Sequence, residues 1–479
     1  MNKGTDNNIS RRTFLRTLGI GAASTALLSC RRNVSDRIGL NGNAESSTSF
    51  RAATGPMTMR INPSTGDSVS ILGYGFMRLP EITDASGEKI IDQEQVDRLV
   101  DYAMKHGINY YDTSPVYCKG NSEHSLGIAL SRYPRDSYFI ATKMSNFAPK
   151  TWPREESIKM YRNSLKELRT DYIDYMLLHA IGQGGMEAWE NRYINNGILD
   201  FLIGERSAGK IKNLGFSYHG EIEVFDHLLK MHDDGIVKWD FAQIQLNYLD
   251  WKHAKQLNTR NTDAEYLYNE LHRRGIPAVI MEPLLGGRLA SVNDHVMAEF
   301  KRRRPDDSVA SWAFRFAGTP EGVLTVLSGM TYMEHLQDNL LTYSSLEPCT
   351  TDELDMLNQA ADYLVKFPTV PCTSCQYCMP CPYGIDIPSI FSHYNKCVNE
   401  GRVPTSSSDP EYNRLRRAFL IGYDRAVPRL RQANHCIGCR ECVKHCPQAI
   451  NIPGKMQEID QYVEQLKQDT LSLASFKIC

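Results

Sequence analysis

Eight of the thirteen cysteines fall in two tight runs, Cys372, Cys375, Cys378, Cys381 and Cys436, Cys439, Cys442, Cys446. Cysteines three apart rarely pair with one another, but their thiolates can converge on one metal cluster. The remaining five, Cys30, Cys118, Cys349, Cys397 and Cys479, show no spacing pattern. A second chemical set is Asp112, Tyr117, Lys143 and His179. Reducing a carbonyl by hydride needs a proton donor at the developing alkoxide. A tyrosine can serve where a nearby lysine ammonium lowers its pKa and an aspartate holds that lysine. A histidine can hydrogen-bond the substrate oxygen and orient it. Singly, each residue has a plainer reading: a packed Tyr, a solvated Lys, a satisfied core His.

The elements that would carry this set favour taking it as a whole. From about residue 57 to 345 the chain alternates β-rich runs with helical stretches. The runs lie at 71–77, 108–113, 137–143, 173–179, 211–217, 241–247, 278–283 and 323–329. Between them lie helical patterns such as 92–107 and 154–169. Eight strand-helix units predict an α/β fold, a (β/α)8 barrel, with the stretch before the first unit forming a hairpin that closes the barrel bottom. A doubly wound sheet is the competing fold, but GYGFMR after the first run is not G-x-G-x-x-G. In a barrel the chemistry sits at the C-terminal strand ends. Asp112 and Tyr117 follow the second strand, Lys143 ends the third and His179 ends the fourth.

The segment DTSPVYCKGNSEHSLG (112–127), with Lys143 in ATKMS and His179 in LLHA, resembles the aldo/keto reductase family over about residues 57–345. The resemblance implies a nicotinamide cofactor, NAD(P), lying extended across the barrel mouth, and a small-molecule carbonyl or alcohol substrate. It assigns Ser217 and Gln243 to the nicotinamide amide. Gly286 and Gly287, in MEPLLGGRLA, are assigned to the pyrophosphate loop, and Asp338 and Asn339 to the adenine. Three positions depart from the family pattern: Tyr218 follows Ser217, Met281 stands where an aromatic often stacks on the nicotinamide, and Gly329 stands where a base would meet a 2′-phosphate. The last leaves NAD and NADP both open.

The run at 436–447 is C-x2-C-x2-C-x3-C-P, the bacterial ferredoxin pattern, in which the fourth cysteine ligates the other cluster. By that rule Cys372, Cys375, Cys378 and Cys446 hold one [4Fe–4S] cluster, and Cys436, Cys439, Cys442 and Cys381 hold the second. The first run has two residues, not three, before Cys381-Pro382, so either Cys381 ligates with altered geometry or Cys397 stands in. The Cys-Pro ends and the third close cysteine favour iron–sulfur over zinc. The runs are separated by a helical insert, which resembles the mostly helical dicluster domains found beside dehydrogenases. Its arginines (Arg414, Arg416, Arg417, Arg425, Arg429, Arg431) form either a face for an acidic redox partner protein or a solvated surface.

The 479 residues suggest two or three domains, and a formal net charge of −2 gives no basic field for nucleic acid. Arg11-Arg12, then Phe14-Leu15 and the apolar run 17–29, read as a twin-arginine export signal, too short to span a bilayer. Leu27-Leu28-Ser29-Cys30 resembles a lipoprotein cleavage box, so a membrane contact would run through a lipid anchor at Cys30 or be absent. The expected organisation is a signal (1–30), a polar linker (31–56), the barrel (57–345), a connecting helix (346–366), the dicluster domain (367–460) and a tail (461–479). The expected function is an exported, periplasmic or lipid-anchored, oxidoreductase. It interconverts a carbonyl and an alcohol, a sugar derivative being one candidate, and is coupled to electron transfer through two [4Fe–4S] clusters. The alternatives are an electron-transfer or binding module whose barrel has lost nicotinamide-dependent catalysis, and an ordinary cytoplasmic NAD(P)H reductase.

Overall fold

A computed structural model describes residues 55–367, 369–404 and 406–469. The Arg11-Arg12 pair, the run 17–29, Cys30 and nearly all of the linker lie outside the described residues. A hairpin, β1 (Met59–Ile61) and β2 (Ser68–Ser70), precedes the first barrel strand, β3 (Leu72–Gly75). A small outer hairpin, β4 (Glu81–Thr83) and β5 (Lys89–Ile91), follows it. Then come β6 (Tyr110–Asp112), β7 (Phe139–Met144), β8 (Ile173–Ile181), β9 (Ile211–Tyr218), β10 (Phe241–Gln245), β11 (Ala278–Met281) and β12 (Val323–Ser328). β3 and β6–β12 close into a parallel barrel, with β12 hydrogen-bonded to β3. The fold class expected from the alternation is therefore the one observed.

Parallel strands covered on both faces are near-continuously apolar, and β8 is buried along its whole length. Tyr110, Ala141, Tyr175, Leu177, Phe241, Val279 and Leu324 fill the barrel interior, and Val69 of the hairpin joins them. The hairpin is also tied in by polar contacts. Asn62 Nδ2 donates to Asn213 Oδ1 at 3.0 Å, and the Tyr175 hydroxyl donates to Asp67 Oδ2 at 2.8 Å. The bottom is thus plugged, and the C-terminal mouth is left for chemistry.

The helix Thr351–Leu364 starts at a capping box between Thr350 and Glu353. Its Met356, Leu357, Ala360 and Leu364 pack into the barrel's outer core. A second core lies beyond it, built by the helices Ile387–Asn399, Tyr412–Ala426 and Ile452–Gln468. The tail expected from 461 begins later. Ile459, Tyr462, Val463 and Leu466 keep one apolar stripe in that second core, so the last helix runs on to Gln468. Among the described residues no helix is long and apolar enough to cross a membrane.

Candidate active site and cluster ligands

The strand ends bring the four expected catalytic residues together. Lys143 Nζ lies 2.6 Å from Asp112 Oδ1 and donates to the Thr113 carbonyl at 2.7 Å. Both side chains are almost fully buried. Burial pushes the Asp112 carboxyl up and the Lys143 ammonium down, and each charge offsets the other's desolvation. The Lys143 nitrogen sits 4.8 Å from the centre of the Tyr117 ring. It packs against the ring and spends its charge on Asp112 and Thr113. Burial, with Tyr377, Asp112, Glu282 and Cys375 adding to it, pushes Tyr117 well above the ordinary tyrosine range.

His179 faces Tyr117, their ring centres 6.0 Å apart and nearly perpendicular. Burial holds it well below the usual histidine range, with Lys143, His219 and Arg192 adding to the effect, so it is neutral near pH 7. Its Nδ1 lies 2.6 Å from Ser145 Oγ, which in turn meets Ser114 Oγ at 2.9 Å. A neutral imidazole that accepts from Ser145 at Nδ1 carries its proton on Nε2. Arg192 donates to the His179 carbonyl at 2.6 Å and fixes the backbone there.

Asp112, Tyr117 and His179 line a cavity of about 560 Å³ at the mouth, while Lys143 lies beneath its wall. The cavity runs on past Gln243, Met281, Gly286 and Gly287 to Ser328, Gly329, Asp338 and Asn339. The fit to a nicotinamide is good at one end. Gln243 Oε1 is buried on the cavity wall without a hydrogen-bond partner, as a carboxamide contact requires. Asn339 donates to Ser328 Oγ at 2.9 Å, and Asp338 accepts from Ser308 at 2.7 Å.

Two expectations for the cofactor are corrected. Ser217 is not on the cavity wall; its oxygen accepts from the Ala180 N–H at 2.8 Å. The N–H groups of Gly286 and Gly287 are already spent, on Glu282 Oε2 at 2.5 Å and on the Leu284 carbonyl at 3.0 Å, so they do not cradle a phosphate. Tyr218 turns away from this cavity, its hydroxyl donating to the Gly220 carbonyl at 2.5 Å.

Cysteines of the two runs lie near one another. Burial pushes up the thiols of Cys372, Cys375 and Cys378; Cys446 adds to each, Cys372 adds to Cys375 and Cys378, and Cys378 is raised further by Cys375 and Cys442. Cys442 is pushed up by burial and then by Cys436, Cys439 and Cys381. Cys381, Cys436, Cys439 and Cys442 line one small enclosed cavity walled by Ile385, Ile387, Ile452 and Met456. The eight thiols are soft donors of the kind that iron–sulfur clusters take. Cys397 does not stand in for Cys381. It sits on a helix with its sulfur 3.7 Å from His393 Nε2.

Several residues at the mouth carried no sequence signal for a place in the barrel cavity. Cys375 and Tyr377, from the first cysteine run, line the barrel cavity, as do Thr373, Pro447 and Gln448. Arg78 donates to the Thr373 carbonyl. Glu282 hydrogen-bonds Thr373, and burial lifts its carboxyl above the usual range. Asn258 donates to the Gln448 carbonyl at 2.8 Å, and Ser291 donates to Glu400 at 2.9 Å. The cysteine-bearing domain is thus fastened over the barrel mouth.

Comparison with known proteins agrees with this architecture. The model of the aldo/keto reductase family matches residues 72–362. The chain belongs to the aldo/keto reductase family. A 4Fe-4S dicluster domain model matches residues 371–451. L-galactose dehydrogenase of Arabidopsis thaliana is 23% identical over 313 residues, 62% of this chain and 91% of that protein. D-arabinose 1-dehydrogenase of Saccharomyces cerevisiae is 34% identical over 128 residues, 26% of this chain and 36% of that protein. The holo form of aldo-keto reductase AKR11C1 from Bacillus halodurans superposes with a TM-score of 0.50 at 21% identity, over 63% of this chain and 96% of that one. The protein is an oxidoreductase of aldo/keto reductase type that carries a dicluster domain.

Proposed function

We propose that the enzyme interconverts an alcohol and a carbonyl on a sugar-like substrate and exchanges the electrons through two [4Fe–4S] clusters. The observation that carries this reading is the meeting of two chemistries at one cavity: Asp112, Tyr117 and His179 on the barrel side, and the cluster ligand Cys375 on the other. Two of the relatives named above are sugar dehydrogenases, which supports the substrate class. Tyr117 gives or takes the proton at the substrate oxygen, and its high pKa keeps it a neutral donor. Lys143 and Asp112 fix its position, and neutral His179 orients the oxygen through Nε2. Gln243 holds the carboxamide of a nicotinamide, and Asp338 and Asn339 hold its adenosine end. That group, when bound, supplies or takes the hydride.

Oxidising one alcohol releases two electrons and two protons: the hydroxyl proton leaves through Tyr117, the C–H passes as hydride to the nicotinamide, and its two electrons go on, one to each cluster, while the second proton passes to solvent. Cys372, Cys375, Cys378 and Cys446 hold the cluster beside the cavity; Cys381, Cys436, Cys439 and Cys442 hold the outer one. Cys439 is solvent-exposed, and beside it Leu430 and Ile437 are 82% and 63% exposed. Arg425, Arg429 and Arg440 are exposed on the same segment, which suits an acidic electron-carrier protein. Arg416 is not part of that face: it donates to the Lys467 carbonyl at 3.1 Å and closes the last helix.

The Arg11-Arg12 signal sends the folded, cluster-loaded enzyme out of the cytoplasm, with Cys30 as a lipid anchor point. Free NAD(P)H is not expected outside, so the nicotinamide travels bound. The test is anaerobic purification of the full chain, with counts of iron, acid-labile sulfide and released nicotinamide. About eight iron with bound nicotinamide is the expected result. Eight iron, no nicotinamide and no gain on adding it would replace this reading with an electron-transfer module. Cell fractionation tests export.

A further inference from the structure

We propose that Tyr377, carried by the first cysteine run, is a substrate-contacting residue, so that both domains build the active site. The proposal rests on the reading that substrate binds at Tyr117, and it adds a group that selects which carbonyl compounds bind there.

Tyr377 lies between Cys375 and Cys378 in sequence and lines the same cavity wall as Tyr117, His179 and Gln243. Its ring centre is 6.5 Å from that of Phe147, which lies 4.9 Å from the His179 ring. The side chain therefore stands directly over the two residues that hold the substrate oxygen.

The loop beneath it is held firmly. Arg78 and Glu282 bind Thr373 from two sides of the mouth. Gly286 approaches Thr373 so closely that a Cβ there would lie 2.7 Å from its Cα. Tyr377 is therefore preorganised by the barrel.

A phenol has one donor and two acceptor positions. On the cavity wall these positions are available to a bound substrate. An oxygen on the carbon next to the reacting one would lie within reach of both Tyr117 and Tyr377. The arrangement selects carbonyl compounds with an adjacent hydroxyl, such as aldoses, over those without one. A site built to bond a hydroxyl penalises the analogue that lacks it, because its own polar group is then left unpaired.

The test uses the anaerobic full-length holoenzyme, with iron counts for each variant, and the probe pair glycolaldehyde and acetaldehyde, which differ by that one hydroxyl. Wild type is expected to prefer glycolaldehyde in kcat/KM. Tyr377→Phe is expected to cut that preference about three- to tenfold, mainly by raising KM. Tyr377→His, which keeps a donor, is expected to restore part of it. As a readout independent of turnover, glycolaldehyde should change the electron paramagnetic resonance spectrum of the dithionite-reduced wild type and leave that of Tyr377→Phe unchanged. Turnover with an unaltered preference in iron-replete Tyr377→Phe would overturn the proposal while leaving the proposed function standing. A spectral change without wild-type turnover would do the reverse. Neither binding nor turnover in the wild type would overturn both.

Discussion

Gly286 and Gly287 are adjacent, both have positive φ, and only one has a neighbour. Gly286 has φ +66° and would place a Cβ 2.7 Å from Thr373 Cα and 2.9 Å from the Thr373 carbonyl carbon and oxygen. Gly287 has φ +95° and nothing within 4 Å of such a Cβ. Alanine at either position pays the left-handed backbone cost, about 1–2 kcal/mol. At Gly286 the obstacle is backbone and cannot rotate away, so an overpacking cost of about 1–3 kcal/mol is added. Gly286→Ala is therefore expected to destabilise by about 1–3 kcal/mol more than Gly287→Ala. The strain falls on the contact between the barrel loop and the first cysteine run. Denaturant unfolding of the anaerobic holoproteins measures the difference, and limited proteolysis should show the cysteine-bearing domain released first in Gly286→Ala. Equal destabilisation by the two variants, or identical proteolysis, would refute the claim that the domain is seated on that loop.

Lys143→Met leaves Asp112 buried without its counter-charge, and Asp112 Oδ2 already has no partner. The expected cost is about 3–5 kcal/mol of stability, with turnover down at least a hundredfold, read by unfolding and steady-state kinetics. Burial lifts the Glu123 carboxyl from 4.5 to about 7, against the Thr142 hydroxyl bond at 2.5 Å. The folded state thus holds this proton more tightly than the unfolded chain. Its stabilising contribution is present below pH 4.5 and is lost as pH rises through about 7, up to about 3 kcal/mol. Glu123→Gln should flatten the fall in Tm across pH 5 to 8; an unchanged slope would count against it. Arg429→Glu with Arg440→Glu should slow electron transfer to an acidic flavodoxin about tenfold and weaken its salt dependence in stopped flow, leaving carbonyl turnover with added nicotinamide intact.

Sequence pattern reached far into this structure where chemistry or periodicity repeats. The eight strands were legible because parallel, doubly covered strands such as 173–181 are continuous apolar runs. The meeting of Asp112, Tyr117, Lys143 and His179 was legible because a barrel places strand ends on one rim. The approach of Cys446 to the first cysteine run was legible from the crossed pattern of ferredoxin runs. What was not legible depends on contacts distant in sequence. No local pattern tells that Thr373 seats on Gly286, or that Tyr377 reaches Tyr117. For the same reason Gly286 and Gly287 read as phosphate-binding, when their N–H groups are taken by Glu282 and Leu284. Ser217 read as a cofactor contact, when the irregular end of β8 uses its hydroxyl.

The central claim is that chemistry at Tyr117 and electron storage in the cysteine-bearing domain belong to one reaction. The most direct measurement mixes the anaerobic, oxidised holoenzyme with an aldose such as D-arabinose and follows the clusters by electron paramagnetic resonance while the sugar product is quantified. Two electrons should appear in the clusters per sugar oxidised, and Tyr117→Phe with full iron should show neither. Sugar oxidised while the clusters stay oxidised, or clusters reduced equally in Tyr117→Phe, would contradict it.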